Sequence, residues 1–234
     1  MQNTEEDLKS YYALRASEYD RVYEMPERQS DIRILKQWLP SRFIGRSIFE
    51  IACGTGYWTQ YIAPLASDIV AIDSSIETIR IAKTRVSKDK VQFLVADAYL
   101  LPKNLGVFDA AFAGFWFSHI PKNLRRNFIN GMKEHLKPGA KVVFVDNRYV
   151  EGSNHPITES DSEGNTYQTR KLSDGSLHRV LKNFPTENEL RELFGKDCGK
   201  SVFTQFDYYW AFEFETEIAQ QAHAPEPLLR PGDA

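Results

Sequence analysis

Ile48-Phe49-Glu50-Ile51-Ala52-Cys53-Gly54-Thr55-Gly56-Tyr57-Trp58-Thr59 is an apolar run that breaks into a glycine turn and resumes as an amphipathic stretch. It reads as a strand, a tight turn and the start of a helix. Gly54 and Gly56 let the backbone bend and let a ligand approach the main chain without meeting a Cβ. A dinucleotide site adds a third glycine for helix-to-strand packing and turns the helix N-terminus towards a pyrophosphate. Here Thr59 holds that position, behind bulky Tyr57 and Trp58, which argues against a nicotinamide dinucleotide. Glu50 puts a carboxylate beside the turn, unhelpful for a pyrophosphate but suited to a ligand carrying an ammonium or sulfonium.

Outward from this turn, short apolar runs alternate with amphipathic stretches. Strands are predicted at Ser47–Ala52, Ile69–Ile72, Val91–Val95, Phe108–Ala113 and Lys141–Asp146, and helices at Tyr57–Pro64, Ser75–Val86 and Asn123–Leu136, the rhythm of a doubly wound parallel sheet. Pro138-Gly139 predicts a turn that ends the last helix and opens the fifth strand. Upstream, residues 4–40 read as two helices: Leu8, Tyr11, Tyr12, Arg15 and Tyr19 fall near helical spacing, then Ile32, Leu35, Trp38 and Leu39, with Pro40 ending the second. Downstream, the polar stretch Arg148–Asp174 is too long for an ordinary connection and predicts an insertion or lid. A strand at Leu177–Leu181, a helix at Thr186–Phe194 and a pair of antiparallel strands within Val202–Phe214 follow.

Composition narrows the function classes. The 234 residues carry a net charge of -3, with 29 basic and 32 acidic side chains, so no global field favours nucleic acid. No apolar run approaches the ~20 residues of a spanning helix. The acidic N-terminus Met1–Asp7 has no basic or apolar leader pattern, and two cysteines, Cys53 and Cys198, are too few for a disulfide framework. A cytoplasmic protein with a small-molecule partner, and no nucleic acid or membrane partner, is expected. His155, His178 and His223 lack metal-ligand spacing, so no metal is expected. Cys53, inside the turn without a histidine partner, reads as a small packing residue.

Two further acids sharpen the ligand. Asp73 closes the strand Val70-Ala71-Ile72-Asp73-Ser74-Ser75, where a carboxylate suits the vicinal hydroxyls of a ribose, and Asp97 closes Leu94-Val95-Ala96-Asp97-Ala98, where it suits an exocyclic adenine amine. The combination of Glu50, Gly54, Gly56, Asp73 and Asp97 at successive carboxyl ends resembles the class I S-adenosylmethionine-dependent methyltransferases. The alternative is a Rossmann-like domain for another nucleotide or none. The resemblance, over residues 46–146, implies an α/β fold: a Rossmann-like doubly wound seven-stranded sheet with an antiparallel last strand, a helical N-terminal cap and an inserted lid. It implies that Ala52 and Gly54 offer backbone groups to the methionine moiety, Asp73 with Ser74 holds the ribose, Asp97 and the Ala98 amide face the adenine, and the backbone near Phe115 faces the ammonium. Tyr11, Arg15, Tyr19 and Trp58 would close over the cofactor, S-adenosyl-L-methionine. The expected division is one domain over 1–219, comprising cap 1–45, core 46–146, lid 147–185 and terminal helix and strands 186–219, with a disordered tail at 220–234.

A narrower resemblance adds the N-terminal segment Tyr11–Asp20, which together with Gly56–Thr59, Trp116–Pro121, Phe144–Asp146 and Leu172–Lys182 is similar to segments of phosphonate O-methyltransferases. An already ionised acceptor oxygen needs no general base but needs cations. Lys182 leads, with Arg148, Arg170 and Arg179 as others, each also readable as a solvated surface charge. His119, just past the fourth strand, reads either as a general base for a phenol or alcohol or as a hydrogen-bonded wall residue. Tyr23, Trp116 and Phe117 divide between core packing and the wall of a site. The expected reaction is O-methylation of a small acidic metabolite, a carboxylate or phosphonate; a peptide C-terminus is chemically such an acid. The alternatives are N- or C-methylation of a natural product or quinone, and a non-catalytic cofactor-binding regulatory protein.

Overall fold

The computed structural model describes residues 16–87, 89–195 and 200–217, with side chains from residue 20 onward. The first predicted helix and the tail at 220–234 therefore lie outside the described residues, apart from a 3-10 segment at Ala16–Tyr23. Strands β1 (Ser47–Ile51), β2 (Asp68–Asp73), β3 (Val91–Val95), β4 (Phe108–Gly114), β5 (Leu136–Asn147), β9 (Val202–Gln205) and β10 (Tyr209–Glu215) form a seven-stranded sheet in the order β3-β2-β1-β4-β5-β10-β9. Pairing is parallel from β3 to β5, while β10 runs antiparallel to both β5 and β9. The antiparallel last strand is the sheet expected from the sequence. Order reverses between β1 and β4, the place where open α/β sheets leave a crevice beyond their carboxyl ends.

Alternation along the central strands builds a core on each face. Ile48, Val143, Val145, Tyr209 and Ala211 join one cluster with Ile32, Leu35 and Leu39 of α1 (Gln29–Ser41). Phe49, Ile51, Phe144, Trp210 and Phe212 join the other, with Phe128, Ile129 and Met132 of α4 (Arg125–Lys133) and Leu190 and Phe194 of α5 (Glu187–Phe194). Such strands, buried on both sides, read as continuous apolar runs, which is why the sequence located them well. Short α2 (Thr59–Ile62) follows the glycine turn, and α3 (Ile76–Arg85) starts at Ser75, whose Oγ accepts from the Thr78 N–H. Thr186 and Glu189 close a reciprocal capping box on α5. Among the described residues, no helix is long and apolar enough to cross a membrane.

Three expectations need correction. Pro40 lies inside the last turn of α1, which runs to Ser41; the Arg42 N–H bonds to the Leu39 carbonyl and the Phe43 N–H to that of Pro40, completing the end with tight turns. Pro138-Gly139 does not open β5, which already pairs at Leu136 with Phe108 and passes through Gly139 at φ 75° with a register shift before Lys141 pairs with Ala110. The lid is more ordered than a polar loop: β6 (Glu159–Ser160), β7 (Thr166–Lys171) and β8 (Leu177–Leu181) form an antiparallel sheet. Strand β7 lacked an apolar signal because its buried side chains are Tyr167, Gln168 and Arg170.

Phe194 meets the rings of Phe117, Phe144, Phe212 and Phe214 at 5.0–6.1 Å. Phe194→Ala should lower unfolding free energy by about 3–5 kcal/mol in urea denaturation, leaving cofactor affinity unchanged in the folded fraction.

Candidate active site

Three features gather at the carboxyl ends of β1, β2 and β4. The turn after β1 places Ala52, Gly54 and Gly56 at φ 56°, 56° and 70°. A Cβ on Gly56 would stand 3.0 Å from the Ala82 Cβ of α3, so this glycine performs the helix-to-strand packing that the sequence reading assigned to a missing third glycine. Asp73 braces the turn: Oδ2 accepts from the Gly54 N–H, and Oδ1 accepts from the Ser75 N–H and the Thr78 hydroxyl. Burial pushes its carboxyl upward against those bonds. Beyond β4, Phe115 is a second non-glycine residue in the left-handed region, at φ 60°, a conformation that over-determined functional sites hold at a cost of about 1–3 kcal/mol.

Glu50 is buried inside β1, 2% exposed; Oε1 accepts from the Thr59 hydroxyl at 3.0 Å, while Oε2 has no hydrogen-bond partner among the described residues. Desolvation, with a smaller contribution from Asp73, pushes its pKa up to about 8. An aromatic wall closes this side: Tyr23 stacks on Tyr57 at 4.0 Å, and Trp58 on Phe115 at 5.8 Å, with Tyr23 edge-on to both Trp58 and Phe115. The cap is tied to the turn by Asp20, which accepts from the Thr55 hydroxyl and pairs with Arg85, itself a donor to the Thr55 carbonyl. The sequence does not reveal these roles of Asp20 and Arg85, because the partners they meet are 30 or more residues away along the chain. On the third strand's side, the Tyr99 N–H donates to Asp97 Oδ1, Ala98 is buried and Ser74 is exposed.

Across β4 and β5 lies a second, cationic cluster. Asp146, at the end of β5 and fully buried, accepts from the Ser118 N–H and hydroxyl, both at 2.9 Å, from the Asn147 N–H and side-chain amide, and from Lys182 Nζ at 3.0 Å. Lys182 also donates to Ser118 Oγ. It is 4% exposed, and desolvation brings its pKa down to about 8, with Asp146 opposing and Arg170 and Arg28 adding to the depression. Arg170 donates to Gln168 Oε1 from Nε and Nη2, and Arg28 donates to Asn147 Oδ1 and to Ser153. Arg28 was missed in the sequence. It opens α1 far from any motif, and only the fold carries it to Asn147, 119 residues away.

The other expected residues divide. His119 is buried, its Nδ1–H donating to the Leu181 carbonyl at 2.6 Å and its ring tilted against Trp116; a carbonyl only accepts, so Nδ1 carries the hydrogen of this bond. Phe117 faces the core, whereas Trp116 packs beside Val180 and Leu172 of the lid. Two arginines are not brought to the cluster. Arg148 donates to the carbonyls of Phe206 and Asp207, and Arg179 pairs with Glu159 over the Tyr167 ring. Both lie near or in the lid along the chain, but Arg148 follows β5 and reaches the turn before β10, and Arg179 stands on the exposed face of β8. Tyr11 and Arg15 lie outside the described residues, as does the side chain of Tyr19. Cys53 is buried in the packing of the turn.

Residues 48–139 match the methyltransferase domain family. With the reversal point between β1 and β4, the antiparallel β10 and the acids at successive strand ends, the chain is a class I S-adenosylmethionine-dependent methyltransferase. It is similar to DhpI, whose complex with SAM and HEP superposes with a TM-score of 0.76 at 28% identity, covering 91% of this chain and 98% of that one. It is 24% identical to the demethylmenaquinone methyltransferase of Lactococcus lactis over 97% of this chain and 95% of that protein. The malonyl-[acyl-carrier protein] O-methyltransferase of Priestia megaterium is 29% identical over 58% of this chain and 50% of that protein.

The Glu50 carboxyl has a stability consequence. Its pKa is higher in the folded chain, so its contribution is full below about pH 4.5 and is lost as pH rises towards 8. In the cofactor-free protein, stability should decline across that window, and Glu50→Gln should flatten the decline in thermal or urea unfolding followed from pH 4.5 to 8.5.

Proposed function

We propose that the protein O-methylates a small acidic metabolite, a carboxylate or phosphonate, and that the cluster around Lys182 holds the acceptor. The observation that carries this reading is a convergence of buried cations: Lys182 feels Arg28 and Arg170 as well as the carboxylate of Asp146. A second buried acid, Asp31, accepts from the Tyr208 N–H and bears on Tyr209. Burying three cations this close together is costly in a low dielectric, and an anionic acceptor beside them would lower that cost.

The cofactor side fits S-adenosylmethionine. Glu50 Oε2, a buried carboxylate oxygen without a partner, suits a cationic ligand, and the left-handed backbone at Ala52 and Phe115 turns main-chain groups towards the crevice. In this reading Glu50, Ala52, Gly54 and Phe115 would hold the methionine moiety. Asp73 and Ser74 would hold the ribose, Asp97 and Ala98 the adenine, and Tyr23 and Trp58 would exclude water. Asp73 has most of its acceptor capacity engaged by the turn, which leaves Oδ2 for a ribose hydroxyl. When bound, the cofactor supplies an electrophilic methyl on a sulfonium.

The chain's own residues then need only position an ionised oxygen and keep water out. Holding reactants in near-attack geometry is worth on the order of 7–11 kcal/mol at best. Lys182 would supply the compact charge and Arg170 the planar, bidentate donor. His119, with Nδ1–H committed to Leu181, acts as a wall and hydrogen-bonding residue beside the acceptor, and an ionised acceptor has no proton for it to remove. The O-methyltransferase relative acting on a malonyl group supports an acidic acceptor, as does the sequence resemblance to phosphonate O-methyltransferases. The relative acting on demethylmenaquinone supports the quinone alternative, but a neutral acceptor would leave the Lys182 cluster unbalanced.

Lys182→Met should lower kcat/KM for an acidic acceptor by about 10²-fold or more, while S-adenosylhomocysteine affinity stays within about twofold. Equal loss of both in calorimetry and steady-state kinetics contradicts an anion-holding role. For the unaltered enzyme, acceptor affinity should fall as pH rises through about 8, as Lys182 loses its proton. A pH profile of KM with no inflection between 7 and 9 contradicts this.

A further inference from the structure

Arg125 opens α4 and is 5% exposed, yet its Nε and Nη2 have no hydrogen-bond partner among the described residues. The guanidinium lies 5.0 Å over the Phe117 ring. That contact uses its face, whereas its donors point outward in its own plane and cannot be met by the ring. The other buried cations near the lid are provided for: Arg28 donates to Asn147 and Ser153, and Lys182 to Ser118 and Asp146. Arg125 feels Glu189 and Asp146 only as charges at a distance, and burial outweighs them.

Beside it is a cavity of about 150 Å³, lined by Arg125, Lys122, Thr166, Asn183 and Glu189 among others. A water takes about 30 Å³ of liquid volume, so the space suits a carboxylate group or a tetrahedral oxyanion. Lys122 and Arg125 against Glu189 leave this lining one positive charge in excess. Glu189 is already engaged, Oε2 accepting from the Thr186 N–H and Oε1 standing 3.7 Å from Lys122 Nζ. The N-cap residue of α4, Leu124, offers no side-chain acceptor to the first turn, which adds to the positive potential there.

We propose that this cavity is a binding site for a small oxyanion, a carboxylate or phosphate group, gripped by Arg125 and Lys122. Arg125 supplies the planar pair of donors that such oxygens take and Lys122 a charge at the rim. The site is distinct from the Lys182 cluster, since Lys182 does not line the cavity. The two are neighbours through Asn183, which follows Lys182, lines the cavity and donates its N–H to the Ser118 carbonyl. The site does not depend on the identity of the methyl acceptor.

The test is a titration of the ¹⁵N-labelled full chain, saturated with S-adenosylhomocysteine, at constant ionic strength. One arm uses sodium acetate and the other inorganic phosphate, and both follow the Arg125 Nε–H resonance, assigned by its loss in Arg125→Lys. A saturable shift is expected in at least one arm, the stronger arm naming the group, with the dissociation constant raised about threefold or more in Lys122→Gln. Lys122 sits at the rim, with a side chain 37% exposed, so this variant keeps the test valid if substitution of Arg125 impairs folding. No shift in either arm overturns the proposal. So does an unchanged constant in Lys122→Gln, or a crystal structure grown in the stronger anion with only water between Arg125 and Glu189.

Discussion

The carboxylate of Asp146 organises the region beyond the ends of β4 and β5. It ends β5 in full burial and accepts from both the N–H and hydroxyl of Ser118, from Asn147 and from Lys182. Those bonds fix the turn after β4, on which Trp116 and His119 sit, and draw in Lys182, the residue that follows β8. Asn147, adjacent to it, receives Arg28 from α1. One buried acid thus joins the sheet to the cap and the lid. Removing a single partner of such a network leaves the rest unsatisfied, a loss larger than one hydrogen bond in water.

Charge is segregated across the crevice. Glu50 and Asp73 lie beneath the glycine turn, where the cationic cofactor would relieve them, and Lys182, Arg170 and Arg28 gather beyond β4 and β5, where the proposed anionic acceptor would relieve them. Each half is shifted in the direction expected of a site awaiting its counter-charge: the Glu50 carboxyl up, the Lys182 ammonium down. A near-neutral chain conceals this arrangement, because its net charge of -3 averages over both halves.

What could be read in the sequence follows from where each signal is stored. Strands β1 to β5 announced themselves because burial on both faces demands unbroken apolar residues. The glycine turn did so because positive φ restricts side chains. Lys182 is legible in the sequence as a cation available to an ionised acceptor, but its burial is a tertiary property that the sequence does not show. Strand β7 was invisible since Gln168 and Arg170 are buried through hydrogen bonds, a tertiary property without periodicity. Arg28, Asp20 and Arg85 were invisible for the same reason: their partners at Asn147, Thr55 and each other are distant in sequence. Arg148 and Arg179 show the converse, in that proximity to the lid along the chain does not fix which way a side chain points.

On the proposed function, the cationic cluster selects an ionised oxygen as the methyl acceptor. The most direct measurement is transfer of isotopically labelled methyl from S-adenosylmethionine to size-matched acceptors that differ in the reacting group: a phosphonate, a carboxylate, a phenol and an amine. Labelled ester is expected from the phosphonate or the carboxylate, with little transfer to the phenol or the amine. Label appearing only on the amine or on carbon, with the acids inert, would contradict it.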